Sequence, residues 1–103
     1  MKTVQIILLF LLTIPLVNAQ QRISGSVTDT KSNPIAGANV YLEGTYDGAS
    51  TDINGAFQFE TMETGTQNLI VSMMSYDVAM QSGDVSYLKD LRIVLKEAIN
   101  QLN

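Results

Sequence analysis

Three runs decide the fold: Gly25-Ser26-Val27-Thr28-Asp29, then Asn33-Pro34-Ile35-Ala36-Gly37-Ala38-Asn39-Val40-Tyr41-Leu42-Glu43-Gly44-Thr45, then Thr51-Asp52-Ile53-Asn54-Gly55-Ala56-Phe57-Gln58-Phe59. Each alternates apolar and polar residues between glycines, prolines and turn acids, the mark of strands with one buried face. Ile23, Gly25 and Val27 fall on one face, with Arg22, Ser24, Ser26 and Thr28 on the other. Ala38, Val40 and Leu42 then oppose Asn39, Tyr41 and Glu43, and Gly44 ends that run. Between these strands Asn33-Pro34 enforces an extended or turn conformation, because the residue before proline is pushed out of the α region.

Asn54-Gly55 marks the sharpest turn. A two-residue loop would set Phe57 and Phe59 beside Asp52 and Ser50. A three-residue loop of Ile53, Asn54 and Gly55, with Gly55 at positive φ, aligns them with Thr51 and Ala49 and is the expected hairpin. In it the Asp52 carboxylate accepts from the turn backbone.

Outward from these runs, Leu69, Val71 and Met73 alternate with Ile70, Ser72 and Met74; Val78 and Met80 begin a short run; Leu91, Ile93 and Leu95 form a last strand. With the weak segment near Ala49 this predicts an all-β sandwich of about seven short strands. Met62, Met73, Met74 and Met80 read as fillers of irregular core gaps.

The joint spacing of Gly25, Asp29, Pro34, Gly37, Gly44, Asp52, Asn54, Gly55 and Phe57 resembles the carboxypeptidase regulatory-like domain. The resemblance covers about two-thirds of the chain beyond residue 19. It implies a transthyretin-like, Ig-like β-sandwich with no catalytic role and no cofactor, those residues serving as structural motif. Where that family often has glycine before its final aromatic, this chain has Ser75-Tyr76; the aromatic often found two residues after the glycine near position 65 is here Gln67. The resemblance further implies the N-terminal extension of a TonB-dependent outer-membrane receptor of Bacteroidetes. Its partners would then be the plug and barrel of that receptor, with periplasmic energising machinery or a surface lipoprotein as further contacts.

The organisation along the chain fits export. Lys2, the apolar run Ile6 to Leu12, Pro15 and the small-residue end Val17-Asn18-Ala19 read as a cleavable secretory signal over residues 1–19. Gln5, Thr13 and Pro15 leave the run short of the roughly 20 apolar residues a membrane span needs. The sandwich is then expected over residues 20–96, with 97–103 as a short helical or irregular tail or a linker to a plug domain. The chain holds no cysteine, so neither a lipid anchor nor a disulfide supports it. Loss of Lys2 leaves five cations against ten carboxylates, an unfavourable balance for nucleic acid or anionic lipid.

Chemistry is constrained as sharply. With no histidine and no cysteine, no Ser-His-Asp triad, Cys-His dyad or histidine-bound zinc can be assembled. Asp52-Ile53-Asn54-Gly55 has alternating oxygen ligands before a glycine, but no acid two residues earlier and no glutamate at the distance a calcium loop requires. An enzyme would need Asp29, Asp47 and Asp52 on one concave surface. Tyr41, expected to face outward, and Tyr46 are the pair that could form a ligand patch. Strand edges offer another mode, accepting a partner's strand through backbone hydrogen bonds. Two functions follow as expectations: a periplasmic receptor extension acting by protein contact, or a free secreted adhesion or carbohydrate-binding sandwich.

Overall fold

The computed structural model of the protein describes residues 20–99. The segment read as a signal, 1–19, and the tail end, 100–103, lie outside the described residues. The alternating runs become seven strands: β1 (Gln21–Asp29), β2 (Asn39–Leu42), β3 (Gly48–Ser50), β4 (Ala56–Thr61), β5 (Thr66–Ser72), β6 (Ala79–Asp84) and β7 (Leu91–Leu95). A single 3-10 turn, Val85–Tyr87, joins the last two.

They assemble into a three-stranded sheet, β4-β1-β7, facing a four-stranded sheet, β3-β2-β5-β6. β1 is central to the first, antiparallel to β4 and parallel to β7. Ile23, Val27, Phe57, Ile93 and Leu95 of one sheet meet Val40, Leu42, Leu69 and Val71 of the other, each at most 6% exposed. Burial of such side chains contributes about 1.5–3 kcal/mol apiece. Gly25 belongs in this layer because of what surrounds it: a Cβ there would lie 2.6 Å from the Leu91 carbonyl oxygen and 2.8 Å from the Phe57 ring. Glycine lets β7 and that ring close over β1.

The expected hairpin is half right. Gly55 has φ +76, its N–H donates to the Asp52 carbonyl at 2.9 Å, and the Asp52 N–H donates to the Ala56 carbonyl at 2.9 Å. The three-residue loop therefore forms. The ladder expected to follow it does not: Phe57 and Phe59 pair with Gly25 and Ile23 of β1, whereas Ala49 pairs with Val40 of β2. The loop crosses from one sheet to the other, because the edge of β1 takes up β4 just beyond the turn. Phe57 and Thr51 still share the interior, Phe57 from β4 and Thr51 from the loop after β3.

The methionines also depart from expectation. Met73 packs against the core, but Met62, Met74 and Met80 are 54%, 86% and 62% exposed. Met74 stands at the tip of the turn after β5, and Met80 faces outward from an edge strand. The interior is instead completed by Val85, which opens the 3-10 turn, and Leu88, which follows it, each 2% exposed.

Strand directions place the start of β1 and the loops 43–47, 62–65 and 85–90 at one end. Loops 30–38, 51–55 and 73–78 gather at the other, where the chain leaving β7 is bound: Tyr76 bridges Glu97, the Asp77 N–H donates to Lys96, and the Ala98 N–H donates to Ser75. The chain enters at one end of the sandwich and leaves at the opposite one.

Candidate docking face

The motif residues fall in strands and turns of this fold. Asp29 Oδ1 accepts the backbone N–H groups of Lys31 and Asn33 at 2.8 and 2.9 Å, and Oδ2 accepts the Asn33 amide at 3.2 Å. These bonds favour the carboxylate, led by the Asn33 N–H, and hold its pKa below the ordinary value. Asp52 Oδ1 accepts the N–H groups of Asn54 and Ala56, both at 2.9 Å. Asp47, at the far end from Asp29 and Asp52, accepts the Thr61 hydroxyl at 2.6 Å. The three acids thus do not converge on one concavity. Pro34 bridges Thr28, while Gly37, Gly44 and Gly55 occupy positive φ at turns.

Asp84 was not singled out from sequence. Its carboxylate accepts the hydroxyl and N–H of Ser86 at the start of the 3-10 turn, and the hydroxyl bond in particular lowers its pKa. The spacing Asp84-Val85-Ser86, with Val85 and Leu88 three apart, was the available signal for a capped turn with one apolar side.

Tyr41 and Tyr46 are not brought into one patch. Tyr46 is fully exposed at a loop tip, whereas Tyr41 lies on the outer face of the four-stranded sheet, in a shallow depression shared with Asn39, Gly48 and Ser50. A second depression on this side, lined by Gly37, Asn39, Ser72, Met73 and Met74, meets the first at Asn39.

What the register does assemble around Tyr41 is an apolar row. Tyr41 pairs with Ile70, and Ile70 with Met80, so three side chains distant in sequence stand side by side across β2, β5 and β6. Ile70 is only 8% exposed although it faces outward, with Tyr41 and Met80 beside it at 38% and 62%. Cross-strand neighbours of this kind support each other. A parallel polar row borders it: the Asn68 amide donates to the Glu43 carboxylate at 3.0 Å and accepts the Ser82 hydroxyl at 2.5 Å.

The cations of the described residues are confined to one side, whereas acids occur on both. From Ser32 to Leu88 there is no lysine or arginine, but seven acids: Glu43, Asp47, Asp52, Glu60, Glu63, Asp77 and Asp84. The cations among the described residues, Arg22, Lys31, Lys89, Arg92 and Lys96, lie on β1, β7 or the segments flanking them. Of those seven acids, Glu60 is on β4 of the other sheet, 3.9 Å from Arg22, and the acids on or flanking strands of the four-stranded sheet include Glu43, Asp47, Asp77 and Asp84. Among the described residues no cluster of three or more metal-ligating side chains occurs, and no helix is long and apolar enough to cross a membrane.

Comparison with known proteins agrees with this architecture. Over 80 residues the chain is 32% identical to the TonB-dependent receptor SusC of Bacteroides thetaiotaomicron, and over 91 residues 29% identical to a TonB-dependent receptor of Formosa agariphila. These alignments cover 77% and 88% of this chain but only 7% and 8% of the receptors' lengths. Among solved structures, chains from two interface mutants of a type II cohesin-X-dockerin complex of Acetivibrio cellulolyticus superpose with TM-scores of 0.62 and 0.58, at 26% and 25% identity. They cover 75% and 73% of this chain, and 58% and 56% of theirs. Residues 23–103 match the CarboxypepD_reg-like domain, and the chain belongs to that family.

Proposed function

We propose that the chain is a non-catalytic periplasmic N-terminal extension domain of a TonB-dependent outer-membrane receptor, acting through protein contacts in substrate import. The observation that carries this reading is the alignment of nearly the whole sandwich with 7–8% of two such receptors. A module of that share supports a contact or positioning role, with passage of the substrate left to the rest of the receptor. The sequence without histidine or cysteine supports a non-catalytic role, and the outer-membrane relatives support a place on the periplasmic face of the cell envelope.

Two experiments on the producing organism test it. Sequencing past codon 103 is expected to find an open frame continuing into a plug and barrel. In-frame deletion of residues 21–98 is then expected to lower energised uptake while the barrel remains in the outer membrane and still binds its substrate at the surface. Unchanged uptake at equal receptor abundance would reject the import role. The likeness to chains of a cohesin-X-dockerin complex favours a second reading, a free secreted sandwich in a protein assembly. A stop codon at 104 would select it.

A further inference from the structure

We infer that the outer face of the four-stranded sheet, along the apolar row Tyr41–Ile70–Met80 and the open edge of β6, binds an extended cationic segment of another protein. The inference rests on the reading of this chain as a protein-contact domain and specifies its partner.

The edge is unpaired over Ala79–Asp84, just beyond residues 75–77, where the chain leaving β7 is bound. Among the described residues β6 pairs only with β5, and Ala79-Met80-Gln81-Ser82-Gly83-Asp84 contains no proline, lysine or arginine, the residues that ordinarily blunt an edge against added strands. Six residues of extended chain offer about 20 Å of backbone. A strand added there would lengthen the row by one position beyond Met80, and Val78, 65% exposed, stands just ahead of it. Backbone bonds would give affinity, and alternate apolar side chains against Met80 would set register.

Charge selects the occupant. Asp84 ends the edge strand and Glu43 lies across the sheet, while Asp77, two residues before β6, has its N–H bonded to the Lys96 carbonyl; no cation occurs in the sequence between Ser32 and Leu88. A segment carrying lysine or arginine at both ends of an alternating apolar stretch complements this arrangement. A second copy of the chain would set acids against acids on this face, and nucleic acid or an anionic membrane would be repelled by it.

The test is a titration of the purified, 15N-labelled chain with the synthetic peptide Lys-Val-Thr-Val-Thr-Val-Lys, followed by amide chemical shifts. Shifts are expected along β6 and at Tyr41 and Ile70. Met80→Lys, at a solvent-facing position, is expected to weaken binding at least 5-fold, and the same peptide with glutamate for lysine to bind at least 10-fold more weakly. Absence of shifts at millimolar peptide, shifts confined to the β4-β1-β7 sheet, equal binding of the acidic peptide, or a dimer through β6 in sedimentation equilibrium would each overturn the inference. Loss of uptake on domain deletion without peptide binding would remove this partner and leave the import role standing. Peptide binding with unaffected uptake would do the reverse.

Discussion

The Gly55 carbonyl accepts the Val27 N–H at 2.8 Å, and a Cβ on Gly55 would stand 2.5 Å from the Val27 carbonyl oxygen. The turn that passes the chain between sheets is thus pressed against the central strand. Gly55→Ala adds two costs, a methyl driven into backbone and a side chain at φ +76. Gly37 has φ +80 but nothing within 4 Å of a Cβ, so Gly37→Ala carries only the second. We expect losses of about 1 kcal/mol for Gly37→Ala and about 2–3 kcal/mol for Gly55→Ala. Urea denaturation of both variants measures the difference; equal losses would show that the contact with β1 costs nothing.

Ser75 holds φ +75, a conformation that L side chains rarely adopt, at the position where the family often has glycine. Its carbonyl accepts the Ala98 N–H at 2.9 Å, and the neighbouring Tyr76 N–H closes the turn on Met73 at 3.0 Å. Glycine keeps both backbone bonds and relieves the strain, partly offset by a freer unfolded chain. Ser75→Gly is expected to stabilise the domain by about 0.5–1 kcal/mol, seen as a higher midpoint in thermal unfolding. A lower midpoint would mean that the hydroxyl has a role of its own.

Thr51 is 5% exposed, and its hydroxyl donates to the Ile35 carbonyl at 2.6 Å while accepting the Ala38 N–H at 2.9 Å. One side chain thereby satisfies two backbone groups of the β1–β2 loop where it enters the core. Thr51→Val keeps the volume and leaves both groups unpaired, at an expected cost of about 2–3 kcal/mol. Thr51→Ser keeps the bonds and loses a methyl, about 1 kcal/mol. Measured stabilities in the reverse order would assign the residue to packing rather than hydrogen bonding.

The strands were legible because each is a local pattern: Ile23 and Val27, Val40 and Leu42, Leu69 and Val71, Ile93 and Leu95 all alternate within a few residues and all are buried. The turn at Asp52–Gly55 was legible for the same reason. What followed it was not, since pairing Phe57 with Gly25 rather than with β3 depends on a strand some thirty residues earlier. Val85 and Leu88 escaped notice because one 3-10 turn is too short to establish a period. The candidate docking face was hidden altogether: Tyr41, Ile70 and Met80 become neighbours only through the register of three strands. Tyr41 and Ile70 each fall opposite an apolar face in the alternation of their own strands, but nothing local pairs them, and Tyr46, the expected companion of Tyr41, lies elsewhere.

Acid sensitivity follows from Asp29 and Asp84, whose folded-state pKa values both lie below the ordinary aspartate value of 3.8. Protonation therefore favours the unfolded chain. The contribution of these groups is fully present above 3.8 and is lost as pH falls through their depressed folded-state values. The causes are hydrogen bonds first, from the Asn33 N–H to Asp29 and the Ser86 hydroxyl to Asp84, with the charge of Lys31 the least of those on Asp29. Salt should therefore leave the effect largely in place. Asn at both positions retains an acceptor oxygen but cannot titrate. The double variant Asp29→Asn, Asp84→Asn is expected to be less stable than the parent at pH 7 and to lose stability less steeply from about pH 4 to pH 2. Urea midpoints across that range, in low salt and in 0.5 M sodium chloride at about a 4 Å Debye length, make the comparison. Parallel curves for parent and variant would place the acid-labile contribution on other carboxylates.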